Sequence, residues 1–234
     1  TNGLVEVLAI TPTSLAEGLA ELVDIQPEQV LGEGVGSIDC KRFWADIGDS
    51  SRDATELMAA FKTNINEIMP IDFAAEPGAP TTLEQGATMT AHIPIRGTVQ
   101  MRVEECSSLE VTLATLRGHP IAGVVRFRAA DQGSRKIRFE VTVYSQAANI
   151  ADWVMLTAGA PAQNANWSTV VERVIQLSGG SAPNGVQTDM ASLNDEEAMQ
   201  AESWIREVIL GRKQAENRAV RVPQKQQAPA ERHD

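Results

Sequence analysis

Apolar and polar residues alternate through the middle of the chain, from residue 87 to residue 145. The clearest alternating segments are 99–103, 109–113, 125–127 and 137–143, and a weaker run covers 89–95. A period of two residues predicts β-strands, here about five. Short turns such as 131–134 separate them, and short connections predict antiparallel neighbours. Because one face of this sheet is apolar and the other polar, we expect one side to be covered.

Apolar residues with helical spacing precede the alternating region. One stripe predicts a helix from Ser50 or Ser51 to about Met69, ended by Pro70. An earlier stripe follows the capping residue Ser14. We therefore interpret residues 1–49 as an N-terminal helical segment packed on the core, with the glycine-rich piece 32–36 as a flexible connector. The first stripe is Leu57, Met58, Phe61, Ile65 and Ile68, and the second is Leu15, Leu19, Leu22 and Val23.

A third helical stripe follows the alternating region, and Gly179-Gly180 ends it. It consists of Trp167, Val170, Val171, Val174 and Ile175. A long helix in this position can lie across the apolar face of the sheet. We therefore expect an α+β domain over residues 50–180, in which an antiparallel β-sheet meander grips a long C-terminal helix.

The remaining residues predict a linker, an extra helix and a tail. Residues 181–193 are small and polar, which favours a linker. Asn194 and Glu197 have capping-box spacing at the start of a helix over 194–218. Residues 219–234 are rich in Gln, Pro and Ala, which is typical of disorder.

The charge distribution bears on the class of partner. Residues 1–100 hold 15 of the 31 acidic residues but only 5 of the 20 basic ones. Such an acidic chain is not expected to bind nucleic acid, which needs Lys and Arg against phosphates. Four arginines fall on the polar face of the predicted sheet, where they are either solvated or bound to an acidic surface. They are Arg102, Arg126, Arg128 and Arg138.

Cysteine, histidine and hydropathy patterns predict no metal site, no cofactor and no membrane span. Cys40 and Cys106 lie far apart, and we expect two free thiols in a reducing, cytoplasmic compartment. The three histidines are scattered, without metal-ligand spacing. No apolar run approaches the roughly 20 residues of a membrane-spanning helix. The first residues lack the features of a signal peptide.

The run from Thr115 to Phe127, Thr-Leu-Arg-Gly-His-Pro-Ile-Ala-Gly-Val-Val-Arg-Phe, carries a family resemblance. It resembles a Gly-His-Pro motif of an uncharacterised bacterial and plant family in the START-like, or SRPBCC, helix-grip superfamily. The resemblance extends over about residues 50–178. This sequence differs from the family in one respect, since it has Val124 and Val125 where that family tends to have acidic residues. The resemblance implies the helix-grip fold and an apolar ligand cavity, and it implies no reaction.

On this basis we expect a module that binds a small hydrophobic or amphipathic molecule between the sheet and the closing helix. The expected cavity residues are Met101, Val111, Leu113, Phe127, Phe139, Val141, Val171 and Val174. The same residues would form an ordinary core if the cavity were closed.

Two other functions are compatible with the sequence. One is an enzyme of the same superfamily, such as a cyclase, dehydratase or hydrolase acting on a hydrophobic substrate. Its acid or base would come from His119, Tyr144 or Arg117, although His119 also suits a tight turn between strands. The other is an assembly module, in which residues 194–217 bind a protein partner or a second copy through Trp204, Ile205 and Val208.

Overall fold

The computed structural model describes residues 28–70, 73–75, 82–93 and 97–221. Within these ranges the chain forms eight strands and four helices. The strands are β1 (Val35–Ile47), β2 (Phe73–Ala75), β3 (Thr88–Ile93), β4 (Gly97–Cys106), β5 (Glu110–Thr115), β6 (Ile121–Asp131), β7 (Ile137–Ala147) and β8 (Gln187–Ser192). The helices are α1 (Ala54–Thr63), α2 (Ile65–Ile68), α3 (Ile150–Ser178) and α4 (Asp195–Arg221).

The eight strands form one antiparallel sheet in the order β2-β3-β4-β5-β6-β7-β1-β8. Strands β3 to β7 are the predicted five-stranded meander. The α+β class, the antiparallel sheet and the long helix after the meander are therefore confirmed. Strand β1 extends the meander by pairing with β7, and β8 then pairs with β1.

The interpretation of residues 1–49 as helical is wrong for the described part of that segment. Residues 35–47 form β1, the longest strand of the sheet. On one face of β1 lie Phe43, Ala45 and Ile47, all fully buried, and they alternate with polar or half-buried positions. The glycine-rich piece is a turn that leads into this strand rather than a flexible connector. The helix predicted after Ser14 lies outside the described residues.

The helix predicted from residue 50 to residue 69 is present as α1 and α2, with an interruption at Asn64. Asp53 caps α1, and its carboxylate and that of Glu56 form a reciprocal capping box. The whole predicted apolar stripe of this region is buried. The stripe is therefore buried as predicted, although its residues are divided between two short helices.

The sheet face that carries Phe43, which we call the inner face, is covered by α1 and α3. Phe61 of α1 lies 4.8 Å from Phe127 and 5.4 Å from Phe139, measured between ring centroids. Helix α3 packs on β1 and β7, with Val170, Val171 and Val174 fully buried. It ends at Gly179 in the left-handed conformation, as predicted. The main core lies in this layer.

The segment 181–193 is not only a linker, because six of its residues form β8. All six are exposed, so the strand has no apolar alternation by which a sequence pattern could reveal it. Helix α4 follows and has the predicted cap, since Asn194 Oδ1 accepts the Glu197 N–H and Glu197 accepts the Asn194 N–H. Of the predicted tail, residues 219–221 continue α4, and the rest lies outside the described residues.

The opposite face, which we call the outer face, is covered by α4, so both sides of the sheet are covered rather than one. Ala201, Ile205 and Ile209 pack against Val124 and Ile38 of the sheet, within a second core cluster. The Trp204 ring lies 5.7 Å from that of Tyr144, and the Arg126 guanidinium lies over it. Trp204 and Ile205, two of the three residues predicted to bind a partner, therefore pack within this chain.

The arginines of the outer face have acidic or aromatic neighbours within the chain. Arg102 pairs with Glu28, and Arg138 pairs with Asp46. Glu28 and Asp46 belong to the acidic first part of the sequence, so part of the expected acidic surface is intramolecular. Arg126 and Arg128 lie 4.0 and 3.9 Å from carboxylate oxygens of Glu110.

Candidate functional site

All eight residues predicted to line a cavity lie in the main core cluster between the sheet, α1 and α3. The structure therefore brings them together, with Val171 and Val174 on α3 and the other six on the inner face. Four of those six belong to two rows of paired residues on this face. Each row runs across strands β1, β7, β6 and β5 through directly paired residues.

The first row is closely packed. It consists of Phe43, Val141, Phe127 and Val111, and each of these residues is 0% exposed. Phe61 covers Phe127 from α1, and Trp167 of α3 lies 6.2 Å from Phe127 between ring centroids. Aromatic rings at these distances fill the space over the row, so we call it the packed row.

The second row, which we call the open row, consists of Lys41, Val143, Val125 and Leu113. Here Val143 is 5% exposed and Val125 is 4% exposed, whereas Leu113 is 1% exposed. Met101 lies beside the row on β4, where it pairs with Thr115, and is 8% exposed. These side chains lie on the inner face, yet Val143, Val125 and Met101 each keep a small accessible surface. Lys41 Nζ donates to Gln163 Oε1 at 2.9 Å, which places the middle of α3 over this row.

Two polar groups, one on β1 and one on α3, lie in the layer between the inner face and α3. Lys41 is half-buried, and burial lowers the pKa of its ammonium group. The indole Nε1–H of Trp167 is buried and has no hydrogen-bond acceptor within the described chain. Sequence reasoning missed Lys41 because it did not predict β1. The alternation from Lys41 to Ile47 was the available signal.

His119, the first catalytic candidate, is part of a tight turn. Its N–H donates to Leu116 O at 3.1 Å, and Gly118 between them has φ 94°. Its Nδ1 lies 3.0 Å from the Ile121 backbone N and 3.1 Å from the Ile121 carbonyl O, so it accepts from one or donates to the other according to the tautomer. Burial lowers the pKa of His119 to about 4. These contacts hold His119 within its own turn, and burial favours the neutral form of its ring.

The other two candidates lie elsewhere. Arg117 is exposed in the same turn. Tyr144 is on the outer face beneath Trp204, where burial raises the pKa of its hydroxyl and that of the neighbouring Cys40 thiol. No hydrogen bond among the described residues joins any two of His119, Arg117 and Tyr144. The structure does not assemble them into an acid–base pair.

We expect His119→Asn to reduce the loss of stability in acid. The native pKa of about 4 lies below the ordinary value of 6.5, so the folded state binds the proton more weakly than the unfolded state. The contribution of His119 to the free energy of unfolding is complete above pH 6.5. About 3 kcal/mol of it is lost as the pH falls towards 4. Asn keeps an acceptor for the Ile121 N–H but does not titrate.

The measurement is urea unfolding of wild type and variant from pH 4 to pH 7.5. Both proteins contain the same other titrating groups, including Glu104. The contributions of these groups therefore cancel when the two free energies of unfolding are subtracted. A constant difference across this range would show that His119 does not titrate with folding.

A buried charge cluster lies between α4 and the outer face. Arg212 donates from Nε to Glu104 Oε2 at 2.6 Å, from one terminal nitrogen to Glu216 at 2.7 Å, and from the other to Glu28. Arg212, Glu28 and Glu104 are almost completely buried. Burial raises the pKa of Glu104 to about 7, against the opposite effect of Arg212. Sequence patterns do not reveal this cluster, because Glu28, Glu104 and Arg212 are far apart along the chain.

The described chain has neither a candidate metal cluster nor a candidate membrane helix. No group of three or more His, Cys, Asp or Glu residues in the described ranges could hold a metal ion. None of the described helices is long and apolar enough to cross a membrane. Both cysteines are free thiols.

Solved structures with partial similarity come from several organisms. A hypothetical protein from Helicobacter pylori is 8% identical, with 64% of this chain and 92% of that chain covered and a TM-score of 0.47. Ginseng major latex-like protein 151 from Panax ginseng is 10% identical, with 61% and 99% covered and a TM-score of 0.41. A START superfamily protein from Mycobacterium smegmatis is 12% identical, with 61% and 99% covered and a TM-score of 0.43. These values are too low to transfer a function.

The family comparison is more direct. No curated protein matches the chain. One family model, described as a domain of unknown function (DUF1990), matches residues 38–176, which span most of the sheet and nearly all of α3. Because this match covers more than half of the sequence, the chain belongs to the DUF1990 family.

Proposed function

We propose that the layer between the open row and α3 binds a small hydrophobic or amphipathic molecule. The observation that supports this is the contrast between the two rows. The packed row has no exposed surface, whereas Val143, Val125 and Met101 keep some although they lie inside the same layer. An apolar space with a few polar groups at one end is the usual form of a small-molecule site.

A bound molecule should be detectable in the protein as purified. Native mass spectrometry is expected to show a second species, heavier by the mass of a small molecule, which disappears on denaturation. Solvent extraction would then identify its chemical class. A single species with the mass of the chain, together with failure of the probe experiment below, would contradict the proposal.

Two matched variants locate the site. We expect Val125→Phe to abolish uptake of N-phenyl-1-naphthylamine, a neutral fluorescent probe, with little change in stability, because the larger side chain fills the space over the open row. Val141→Phe makes the same change in the packed row, where overpacking costs about 1–3 kcal/mol.

Probe fluorescence and thermal melting measure the two effects. Unchanged uptake by Val125→Phe would place the site elsewhere. Equal destabilisation by both variants would show that the open row is as closely packed as the other, which would also contradict the proposal.

A further inference from the structure

We propose that the ligand is an organic acid whose carboxylate binds Lys41. This inference rests on the proposed function, since it concerns the polar end of the same layer. It adds a charge requirement, which neither the apolar lining nor the family match implies.

Lys41 is positioned to meet a ligand in the open row. It lies on the inner face of β1, directly opposite Val143 of β7. Within the described chain its ammonium group forms one hydrogen bond, to Gln163, and no ion pair. Since an ammonium has three N–H donors, two remain for an acceptor in this layer.

The nearest acidic residue on the same strand face is already bound elsewhere. Asp39 Oδ1 accepts hydrogen bonds from Ser192 Oγ at 2.6 Å and from Ser37 Oγ. Asp39 attracts the Lys41 ammonium group only at longer range, so an anion in direct contact would stabilise this half-buried cation further. A ligand carboxylate would supply that anion and form charge-assisted hydrogen bonds.

Trp167 adds a second donor on the same side of α3. It follows Gln163 by four residues, so the two side chains lie one above the other on the helix. Its Nε1–H has no acceptor within the described chain, and an unpaired buried N–H is unfavourable. A polar atom of a ligand in this layer would satisfy this N–H.

The open row also suggests the length of the apolar part. Three strand spacings separate Lys41 on β1 from Leu113 on β5, which amounts to about 14 Å. Val143 and Val125 lie between them. A medium-length alkyl chain can therefore extend along the row from its carboxylate at Lys41.

Decanoate and 1-decanol test the charge requirement, because they share a chain length and differ in the head group. By titration calorimetry at pH 7.5, we expect decanoate to bind wild type at least tenfold more tightly than decanol. Lys41→Met keeps the length of the side chain without its charge, and it is expected to remove this preference. Lys136→Met, at an exposed lysine in the β6–β7 turn, is the control and should leave the preference unchanged.

The outcomes separate this inference from the proposed function. If decanol binds as tightly as decanoate, or if Lys41→Met keeps the preference, the carboxylate assignment is wrong and the apolar site remains. An equal effect of Lys136→Met would show attraction by surface charge, which also overturns the assignment. If neither compound binds wild type and no molecule co-purifies, the proposed function itself is contradicted.

Discussion

Replacement of Arg212 by alanine is expected to lower the free energy of unfolding by about 3–5 kcal/mol, the usual cost of removing one partner from a buried ion cluster. Arg212 contacts Glu28, Glu104 and Glu216, and the first two are almost completely buried. The variant leaves two carboxylates in the interior without the guanidinium that neutralises them. Arg102 and Lys213 also contact Glu28 and remain in the variant. The loss of the guanidinium therefore destabilises the Glu104 carboxylate more than that of Glu28.

Urea unfolding followed by circular dichroism measures the loss. Arg206→Ala is the matched control, because Arg206 lies on the exposed side of the same helix and has the same intrinsic helix propensity. It should cost less than about 0.5 kcal/mol. Equal losses in the two variants would show that the cluster does not stabilise the docking of α4.

A second variant separates the charge of Glu104 from its hydrogen bond. Glu104→Gln still offers an oxygen to Arg212 Nε. It removes the charge of a buried carboxylate, the group whose pKa burial raises. We therefore expect it to cost much less than Arg212→Ala. A loss as large as that of Arg212→Ala would mean that the carboxylate charge itself holds the cluster together.

Gly123→Ala is the second change for which we expect a large effect, a loss of about 3 kcal/mol or more. A Cβ at this position would lie 2.0 Å from the Tyr144 carbonyl oxygen, and φ is 156°, which side chains rarely adopt. Gly123 also pairs directly with Ser145 in the sheet, and its N–H donates to Gln29 O and Thr115 Oγ1. Relief of the overlap would separate β6 from β7, at a cost that combines overpacking with backbone strain.

Gly133→Ala distinguishes backbone strain from steric overlap. Gly133 also has a positive φ, of 78°, but a Cβ there would meet nothing within 4 Å. We expect this control to cost about 1–2 kcal/mol, from strain alone. Thermal and urea unfolding of both variants give the comparison. Similar losses at the two positions would show that the close approach of β6 and β7 is readily relieved.

The parts of the fold with a regular apolar period could be predicted. Strands β4 to β7 alternate cleanly, and the stripes at Phe61 and Val171 gave the helices that cover the inner face. Strand β8 could not be recognised, because all its residues are exposed and it is held by backbone pairing with β1. Periodicity detects burial on one face, and it cannot detect a strand that has no buried face.

The candidate site was predicted only in part for a related reason. The pattern placed Val141 and Leu113 on one apolar face, but spacing within strands does not tell which row a helix fills. That division depends on Phe61 and Trp167, which reach the sheet from separate helices. Contacts between distant residues, such as Arg212 with Glu28, leave no local trace at all.

The docking of α4 has a consequence for how the chain can be shortened. The family match ends at residue 176, before β8 and α4 begin. A fragment cut to residues 38–176 would expose Val124 and Ile38 to water and leave Glu104 without Arg212. An uncovered apolar sheet face of this kind promotes aggregation. In this protein the unit with both sheet faces covered therefore extends beyond the residues that the family model matches.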